Sequence, residues 1–510
     1  MSKQLKKHAP VPEYVSPKQY TIEGFGNPFS QHLDKKNRWV VLAGLIPWDE
    51  LCSVYYKHVG TSATGRKPLN PRMVIASLII KHLCNLDDRE TVLQISENMY
   101  MQYFLGFSSF TPQKPFDPSL FVEFRKRLGL DAVNAINGRI IEIKTRFEST
   151  ENPPVPDSPP GQDGDPPSGG PGSSGTPGNK GRLITDATAC PQDIAFPTDL
   201  DLLSDAREKS EELIDKLYQK ELHGQKPRTY REIARKLYLS TAQKRNKSKK
   251  EIRKGTGRQL RFLGRNIKHI DTLLDAYGTG IPLNSTDYRY MLVIRTLYLQ
   301  QEEMFSNSTH SIEHRIVSIH QPHVRPIVRG KSNAKVEFGA KINVSVIDGI
   351  SFLDELSWDA FNEGSHLQGY IEQYKKRFGF YPRELLADKI YCTRENRRVL
   401  KERGIKLIAK PLGRPSAVTE HVSPGERNPI EGKFGQAKTG YGLGRIKARL
   451  KGTSESWIAT IILVLNLVKL AGAIPYSLFS AFLCFFDDAI SGRWCGSKPQ
   501  RFVLGCSWNV

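Results

Sequence analysis

Apolar and polar residues in the first third of the chain follow the periodicity of amphipathic helices. Asn70 followed by proline opens the run MVIASLIIKHLC, Asp88 precedes ETVLQISENMYMQYFLG, and Asp117 followed by proline precedes SLFVEFRKRLG. An Asn or Asp cap with proline at the first helical position is typical of helix starts. Residues 38–148 therefore predict an all-α N-terminal domain behind an arm at 1–37, and its role is either packing and dimerisation or the reading of DNA ends.

The segment at 151–180 has no such periodicity. It reads ENPPVPDSPPGQDGDPPSGGPGSSGTPGNK, which is almost entirely Pro, Gly, Ser and Asp. A segment of this composition forms no core and predicts a linker between two folded units.

Strand-like and helical runs alternate after this linker. GRLITDATACPQDIAFPTDL, VSIHQPHVRPIVRG, VEFGAKINVSVIDG, ELLADKIY and IKLIAKP are typical of strands, and HLQGYIEQYKKRFG and TRENRRVLKERG are typical of helices. Such alternation predicts an α/β sheet with a parallel part that is covered by helices. We place this domain at 181–475, with a helical insertion at about 205–300 and a C-terminal tail at 476–510.

The most apolar stretch, Trp457–Ala473, contains Asn466 and Lys469 and is shorter than a comfortable membrane span. We interpret it as a buried helix that covers one face of the sheet, and we expect no membrane contact.

The charge of the chain is concentrated in the predicted insertion. The chain has 74 Lys and Arg against 53 Asp and Glu, a formal charge of +21, and the segment 226–268 alone has 16 basic residues against Glu232 and Glu251. A surplus of this kind favours a polyanionic partner, with an anionic membrane or a plain solvated face as alternatives. We select DNA as the partner, with these contacts: Lys244, Arg245, Lys249, Lys250, Arg253, Arg329 and Lys331.

Several other kinds of site are disfavoured. Seven scattered cysteines without a CxxC pair argue against disulfides or a zinc ribbon and indicate a reducing cytoplasm. The N-terminus MSKQLKKHAP lacks a secretory signal, and the absence of a Walker-type phosphate loop argues against ATP. Four histidines form a weaker candidate for zinc because two of them flank Pro322 in an extended run: His310, His314, His320 and His323.

Two aspartates each follow a buried strand. Asp186 ends the run Leu183–Thr185, and Asp388 ends Leu385–Ala387. A carboxylate at such a place is costly unless it is solvated, paired or bound to a cation. Brought together, the two would suit Mg²⁺ or Mn²⁺, whereas the alternative is that each simply caps the next helix.

A third acid, Glu431, occupies the third position of a predicted helix that begins at Asn428 with Pro429. It either folds back on the Asn428 amide as a capping box or faces a site together with Lys438, which lies seven residues later on the same helical face. Gly432 and Gly435 keep that surface small, and the basic residues nearby include Arg427 and Lys433. By residue chemistry alone, this arrangement indicates phosphoryl chemistry without establishing it.

The segments LITDATACPQDIAFPTDLDLLSDARE, SIHQPHVRPIVRGKSNAKVEFGAK, ADKIYCTRENRRVLKERGIKL and RNPIEGKFGQAKTGYGLGRIKARL together resemble bacterial insertion-sequence transposases of the DDE class. The resemblance implies a ribonuclease H-like mixed sheet with flanking helices, a basic helical insertion and an all-α N-terminal domain. It also implies that Asp186, Asp388 and Glu431 are the catalytic, metal-binding acids.

One branch of that family has a Tyr-x2-Arg-x3-Glu-x6-Lys pattern around the glutamate. Arg427, Glu431 and Lys438 match it, but Pro424 stands where the tyrosine should be. The resemblance therefore carries over the arginine, glutamate and lysine of this pattern, but not the tyrosine that positions the DNA end.

By resemblance, the reaction would be two-metal phosphoryl transfer at the terminal inverted repeats and target of double-stranded DNA, with Arg427 and Lys438 neutralising the phosphate. A homodimer in the bacterial cytoplasm, associated with the nucleoid, is the implied setting. The alternatives are a non-catalytic DNA-binding relative and a ribonuclease H-like nuclease or resolvase.

Overall fold

The N-terminal part of the computed structural model is helical. The structure describes residues 33–59, 69–151, 178–277, 280–328, 336–409 and 428–473, so most of the predicted linker, arm and tail lie outside the described residues. The N-terminal helices are α1 (Arg38–Leu45), α2 (Trp48–Val59), α3 (Pro71–Leu83), α4 (Asp88–Glu97), α5 (Met99–Leu105), α6 (Leu120–Arg127) and α7 (Leu130–Glu151). Every side chain of α3 from Val74 to His82 is buried, which makes α3 the central helix of this part.

Local capping explains where these helices begin. Asn70 accepts a hydrogen bond from the Arg72 backbone, so the predicted start of α3 is confirmed. The predicted cap Asp88 was wrong by one residue, because Asp87 is the N-cap of α4. The long helix expected after it is divided in two, since the Asn98 side chain accepts from the backbone N–H groups that start α5. The cap expected at Asp117 also lies too early, because α6 begins at Leu120.

The second part contains a six-stranded mixed sheet, which confirms the predicted α/β class. Its strands are β1 (Arg182–Pro191), β2 (Arg325–Val328), β3 (Val336–Ile347), β4 (Ile350–Ser357), β5 (Glu384–Leu386) and β6 (Lys406–Ile408). β3 pairs antiparallel with β1, β2 and β4, whereas β1, β5 and β6 are parallel. This is a β4-β3-β1-β5-β6 order with β2 against the start of β3, consistent with the expected ribonuclease H-like sheet.

Helices cover both faces of the sheet. Because successive strand residues point to opposite faces, Leu183 packs on one side with α13 (Leu367–Phe378) and α14 (Arg394–Glu402), and Ile184 packs on the other. That other face is covered by α15 (Asn428–Gly440), by α16 (Lys451–Ala473) and by the N-terminal helices, which share one hydrophobic core with it. The N-terminal helices are therefore packed onto the sheet domain.

Helix α16 contains the apolar stretch for which the sequence predicted a buried helix. By length and composition its residues Lys451–Ala471 could cross a membrane, but 72% of the most apolar window is buried inside the protein. Asn466 is fully buried and donates to the Asn137 side chain of α7 at 2.9 Å. The polar residue inside the apolar run thus joins the N-terminal helices to the sheet domain.

A helical insertion separates β1 from β2. It consists of α8 (Asp199–Leu217), α9 (Lys220–His223), α10 (Arg231–Ala242), α11 (Lys249–Asp275) and α12 (Ser285–Ser306), and it extends slightly beyond the expected limits. These helices enclose a core of their own around Leu203, Leu263 and Leu297. A Cβ on Gly257 of α11 would lie 2.8 Å from the Phe305 ring of α12, so glycine permits close packing at this point.

Candidate active site

Asp186 and Asp388 lie side by side on neighbouring parallel strands. The β1–β5 register pairs Ile184 with Leu386. Asp186 lies two residues after Ile184, and Asp388 lies two residues after Leu386. Adjacent strands are about 4.8 Å apart, so the register places the two carboxylates at one edge of the sheet. Asp186 and Asp388 lie two residues after Ile184 and Leu386, so all four side chains point to the same face of the sheet. Ile184 and Leu386 belong to the hydrophobic core on the face that α15 and α16 cover.

Both aspartates are partly exposed and each binds a nearby backbone amide. Asp186 Oδ1 accepts from the Ala187 N–H at 2.9 Å, and Asp388 Oδ1 accepts from the Lys389 N–H at 2.8 Å. Asp388 thereby caps the short 3-10 helix Lys389–Tyr391, whereas Thr393 caps α14. Asp388 therefore does cap the helical turn that follows it, as the alternative interpretation expected. This capping uses one carboxylate oxygen and is compatible with cation binding by the other.

Glu431 lies on α15 in the first turn, as the sequence predicted. Ile430 and Ala437 are buried where α15 packs against β1 and β3, while Glu431 itself is exposed. Within the described ranges, no group of three Asp, Glu, His or Cys side chains is close enough to hold one metal ion. The structure therefore brings the two aspartates together and leaves Glu431 on a helix packed beside their strand, outside a common ligand set.

Only some of the predicted basic residues around Glu431 lie in the part of the chain that the structure describes. Lys438 lies on α15 seven residues after Glu431 and is half-buried. Burial, with the nearby charge of Lys469, lowers the pKa of Lys433 below its ordinary value. Gly432 and Gly435 are exposed, and a Cβ on either would meet no atom within 4 Å. Three predicted DNA contacts lie outside the described residues, as does Pro424: Arg427, Arg329 and Lys331.

The basic residues of the insertion are on its surface. Lys244 and Arg245 lie between α10 and α11, and Lys249, Lys250 and Arg253 lie in the first turns of α11, all of them exposed. Lys244 forms an ion pair with Glu251, and the Arg253 guanidinium lies 4.3 Å from the centre of the Phe305 ring. The connection and the start of α11 therefore present exposed cations on one segment of the insertion, which we call the basic hairpin (residues 231–265).

Sequence reasoning missed a buried polar network beneath the two aspartates. Asn343 Nδ2 donates to Thr185 Oγ1 at 3.0 Å, and the Tyr391 hydroxyl donates to Asn343 Oδ1 at 2.9 Å. Burial raises the pKa of Tyr391, and the charges of Glu363 and Asp186 raise it further, so this hydroxyl stays protonated. The sequence signal was a polar amide, Asn343, between Ile342 and Val344 in the strand run KINVSVI.

Comparisons with known proteins agree with this architecture. Residues 27–127 match the family described as a transposase domain (DUF772), and residues 385–468 match a transposase DDE domain. The second match includes Asp388 and Glu431 and begins beyond Asp186.

An uncharacterized protein of Rhizobium meliloti, ORF8 in the nfe locus, is 35% identical over 100 residues, which are 19% of this chain and 46% of that protein. The chain thus spans less than half the length of this curated relative. No solved structure matches the chain. The chain thus resembles transposases in two separate regions: the N-terminal helices match a transposase domain, and the segment that begins at the strand before Asp388 matches a transposase DDE domain.

Proposed function

We propose that this protein cuts and joins DNA strands at the ends of an insertion sequence, by phosphoryl transfer that depends on Mg²⁺ or Mn²⁺. The observation that carries the proposal is the matched placement of Asp186 and Asp388 on adjacent parallel strands. Carboxylates on adjacent strands repel one another, and a bound cation relieves this repulsion. Partial exposure and hard oxygen donors suit a divalent cation.

Asp186 and Asp388 would hold the cations, and Glu431 would complete the ligand set. When bound, the ions supply activation of the attacking hydroxyl and stabilisation of the leaving oxygen. Glu431 lies outside the ligand set in this structure, so this role requires α15 to shift toward the aspartates when DNA binds. Lys438 and Arg427 would neutralise the phosphate.

The basic hairpin would supply most of the sequence-independent affinity for DNA. Its exposed cations can release counterions from the phosphate backbone, a term that dominates nonspecific binding. A homodimer would hold two DNA ends together, and we expect neither ATP nor a membrane to be required.

The test is strand cleavage by the full-length protein, with Mg²⁺ and DNA that bears the ends of the element. Asp186→Asn and Asp388→Asn should each lower the cleavage rate by at least about 1,000-fold and leave DNA affinity nearly unchanged, since they remove charge-stabilising ligands of the reacting centre. Glu431→Gln should follow the same pattern.

Asp348→Asn is the matched control. Asp348 is an exposed acid with φ 49° in the turn between β3 and β4, where Asn is equally suited, so the cleavage rate should not change. Wild-type cleavage by the Asp186 variant would refute the proposed chemistry.

A second candidate, a DNA-binding protein without catalysis, is favoured by one observation. The described residues hold no three-ligand metal cluster, yet the basic hairpin is fully formed. Salt-dependent DNA binding with no cleavage at any Mg²⁺ or Mn²⁺ concentration would support this alternative. Cleavage of branched DNA regardless of end sequence would instead indicate a nuclease or resolvase.

A further inference from the structure

The separation of the two aspartates is not fixed by main-chain pairing. The parallel ladder between β1 and β5 joins Arg182–Ile184 to Glu384–Leu386 and ends two residues before the acids. Beyond Leu386 the chain turns into the 3-10 helix that Asp388 caps. The β1–β5 ladder therefore does not reach the aspartates themselves, and side chains contribute to holding the two segments together.

Side chains provide this restraint through Asn343 of β3. Thr185, which accepts from Asn343 Nδ2, immediately precedes Asp186. Tyr391, which donates to Asn343 Oδ1, is the last residue of the turn that Asp388 caps, and its backbone N–H donates to the Asp388 carbonyl at 3.0 Å. Thr185, Asn343 and Tyr391 are all fully buried. One amide thus links the segments that carry the two aspartates.

Asn343 is itself held in place by a β-bulge. The β3–β4 register shifts between Asn343 and Val344, which leaves Asp354 as the extra residue of β4. Its buried carboxylate accepts from Arg377 at 2.7 Å and from Ser345, and it also binds the Asn343 side chain. Bulges commonly re-aim a side chain beside a functional site. Here the extra residue of the bulge, Asp354, holds its carboxylate against the Asn343 side chain.

We propose that Thr185, Asn343 and Tyr391 position the two aspartates for divalent-cation binding. This inference rests on the proposed function, because it gives these residues a task at the same site. They do not touch the cation, so they are positioning residues. Loss of one hydrogen bond should let the Asp388 turn drift from β1 and weaken the shared site.

The experiment measures Mn²⁺ binding to the full-length protein by electron paramagnetic resonance, with cleavage as a second readout. Tyr391→Phe removes one hydroxyl and keeps the ring. We expect the Mn²⁺ dissociation constant to rise about tenfold, the lower end of the loss that follows removal of a hydrogen bond that supports a metal site. The Mg²⁺ concentration for half-maximal cleavage should rise in parallel.

Tyr374→Phe is the matched control. Tyr374 of α13 is also buried, and its hydroxyl donates to the Lys180 carbonyl at 2.9 Å, so the variant loses one comparable hydrogen bond. Its Mn²⁺ affinity should equal that of the wild type. Equal affinity in Tyr391→Phe would overturn the positioning role.

Thr185 provides a second, nearly isosteric pair of variants in case Tyr391→Phe does not fold. Thr185→Val removes the acceptor for Asn343 and should weaken Mn²⁺ binding, whereas Thr185→Ser keeps the hydroxyl and should restore it. If Asp186→Asn and Asp388→Asn also bind Mn²⁺ normally, the proposed function fails. If only those two variants lose the ion, the proposed function stands and the positioning inference fails.

Discussion

Three charged side chains meet inside the N-terminal helices, where an isolated charge would be costly. Asp88 accepts from both terminal nitrogens of Arg125 at 2.9 Å and pairs with Lys81 at 2.9 Å. The Lys81 ammonium also lies 4.8 Å from the ring centre of Trp457 on α16. Asp88 therefore compensates two almost completely buried cations at the boundary between the N-terminal helices and the sheet domain.

Asp88→Asn should destabilise the protein by about 3 kcal/mol, because it leaves two buried cations without their counter-charge. The free energy of unfolding from urea titration is the measurement. Asp87→Asn is the control, since Asp87 is the exposed N-cap of α4 and Asn caps equally well. Similar stability of the two variants would contradict the argument.

The same residue predicts a pH dependence. Burial acts to raise the pKa of Asp88, but the hydrogen bond from Arg125 and the charges of Lys81 and Arg125 outweigh it and lower this pKa below 3.8. The stabilisation is present above the unfolded-state pKa and is lost as pH falls through the lower folded-state pKa. Asp88→Asn should therefore show a weaker loss of stability below about pH 4 than the wild type.

For single residues, the sequence predicted which acids follow strands but not which side chains are hydrogen-bonded to one another. Asp186 and Asp388 could be selected because each visibly ends an apolar run. The network through Asn343 could not be predicted, since Thr185, Asn343 and Tyr391 are far apart in sequence and meet only through strand pairing. Whether Glu431 joins the aspartates depends on a helix position that no local pattern specifies.

Among the elements, helices with strong caps were predictable and their interruptions were not. The start of α3 at Pro71 follows from Asn70, whereas the break at Asn98 depends on a side chain that outcompetes helix continuation. In the basic segment, apolar residues are interleaved with the cations and form part of the core of the insertion, with Leu260 and Leu263 buried on α11.

Close packing within the insertion gives an element-scale prediction. Gly257→Leu should destabilise the protein by about 1–3 kcal/mol, because the added side chain must displace the Phe305 ring. Gly435→Ala on α15 is the control: its Cβ meets no neighbour, and the gain in helix propensity should stabilise by up to about 1 kcal/mol. Urea midpoints of the two variants that shift in the same direction would refute this packing argument.

The basic hairpin makes a prediction about salt. Substituting Lys249 and Lys250 together by Gln should lower the magnitude of the slope of log affinity against log salt concentration by about 2, roughly one per phosphate contact. Fluorescence anisotropy on duplex DNA at several salt concentrations measures it. Lys376→Gln, an exposed lysine on α13, should leave the slope unchanged. An unaltered slope in the double variant would remove the hairpin from the interface.

For the whole molecule, the core shared by the N-terminal helices and the sheet domain determines whether the two separate after proteolysis. The Pro, Gly and Ser composition at 151–180 suggested two separately folded domains, but composition cannot reveal the contacts that form around such a segment. Asn466 binds Asn137 of α7, and Ser456 of α16 donates to the Leu128 carbonyl. The N-terminal helices therefore belong physically to the sheet domain.

A protease site placed within residues 152–177 tests this arrangement. After cleavage, the two fragments should coelute on gel filtration and unfold in one transition, because buried contacts join them. Separation of the fragments without denaturant would show that the helices are held only by the chain.

The place where the insertion joins the sheet affects how the sheet assembles during folding. Pro191, where β1 ends, and Arg325, where β2 begins, are both in register with Gly339, so the chain leaves and returns about 10 Å apart, two strand spacings. The β1–β3 ladder joins residues as distant as Ile184 and Val346, a closure that an unstructured segment would make slow and entropically costly. Since the insertion has its own core, we expect it to collapse first and to present its two ends already adjacent. The central strands then meet as if joined by a short loop.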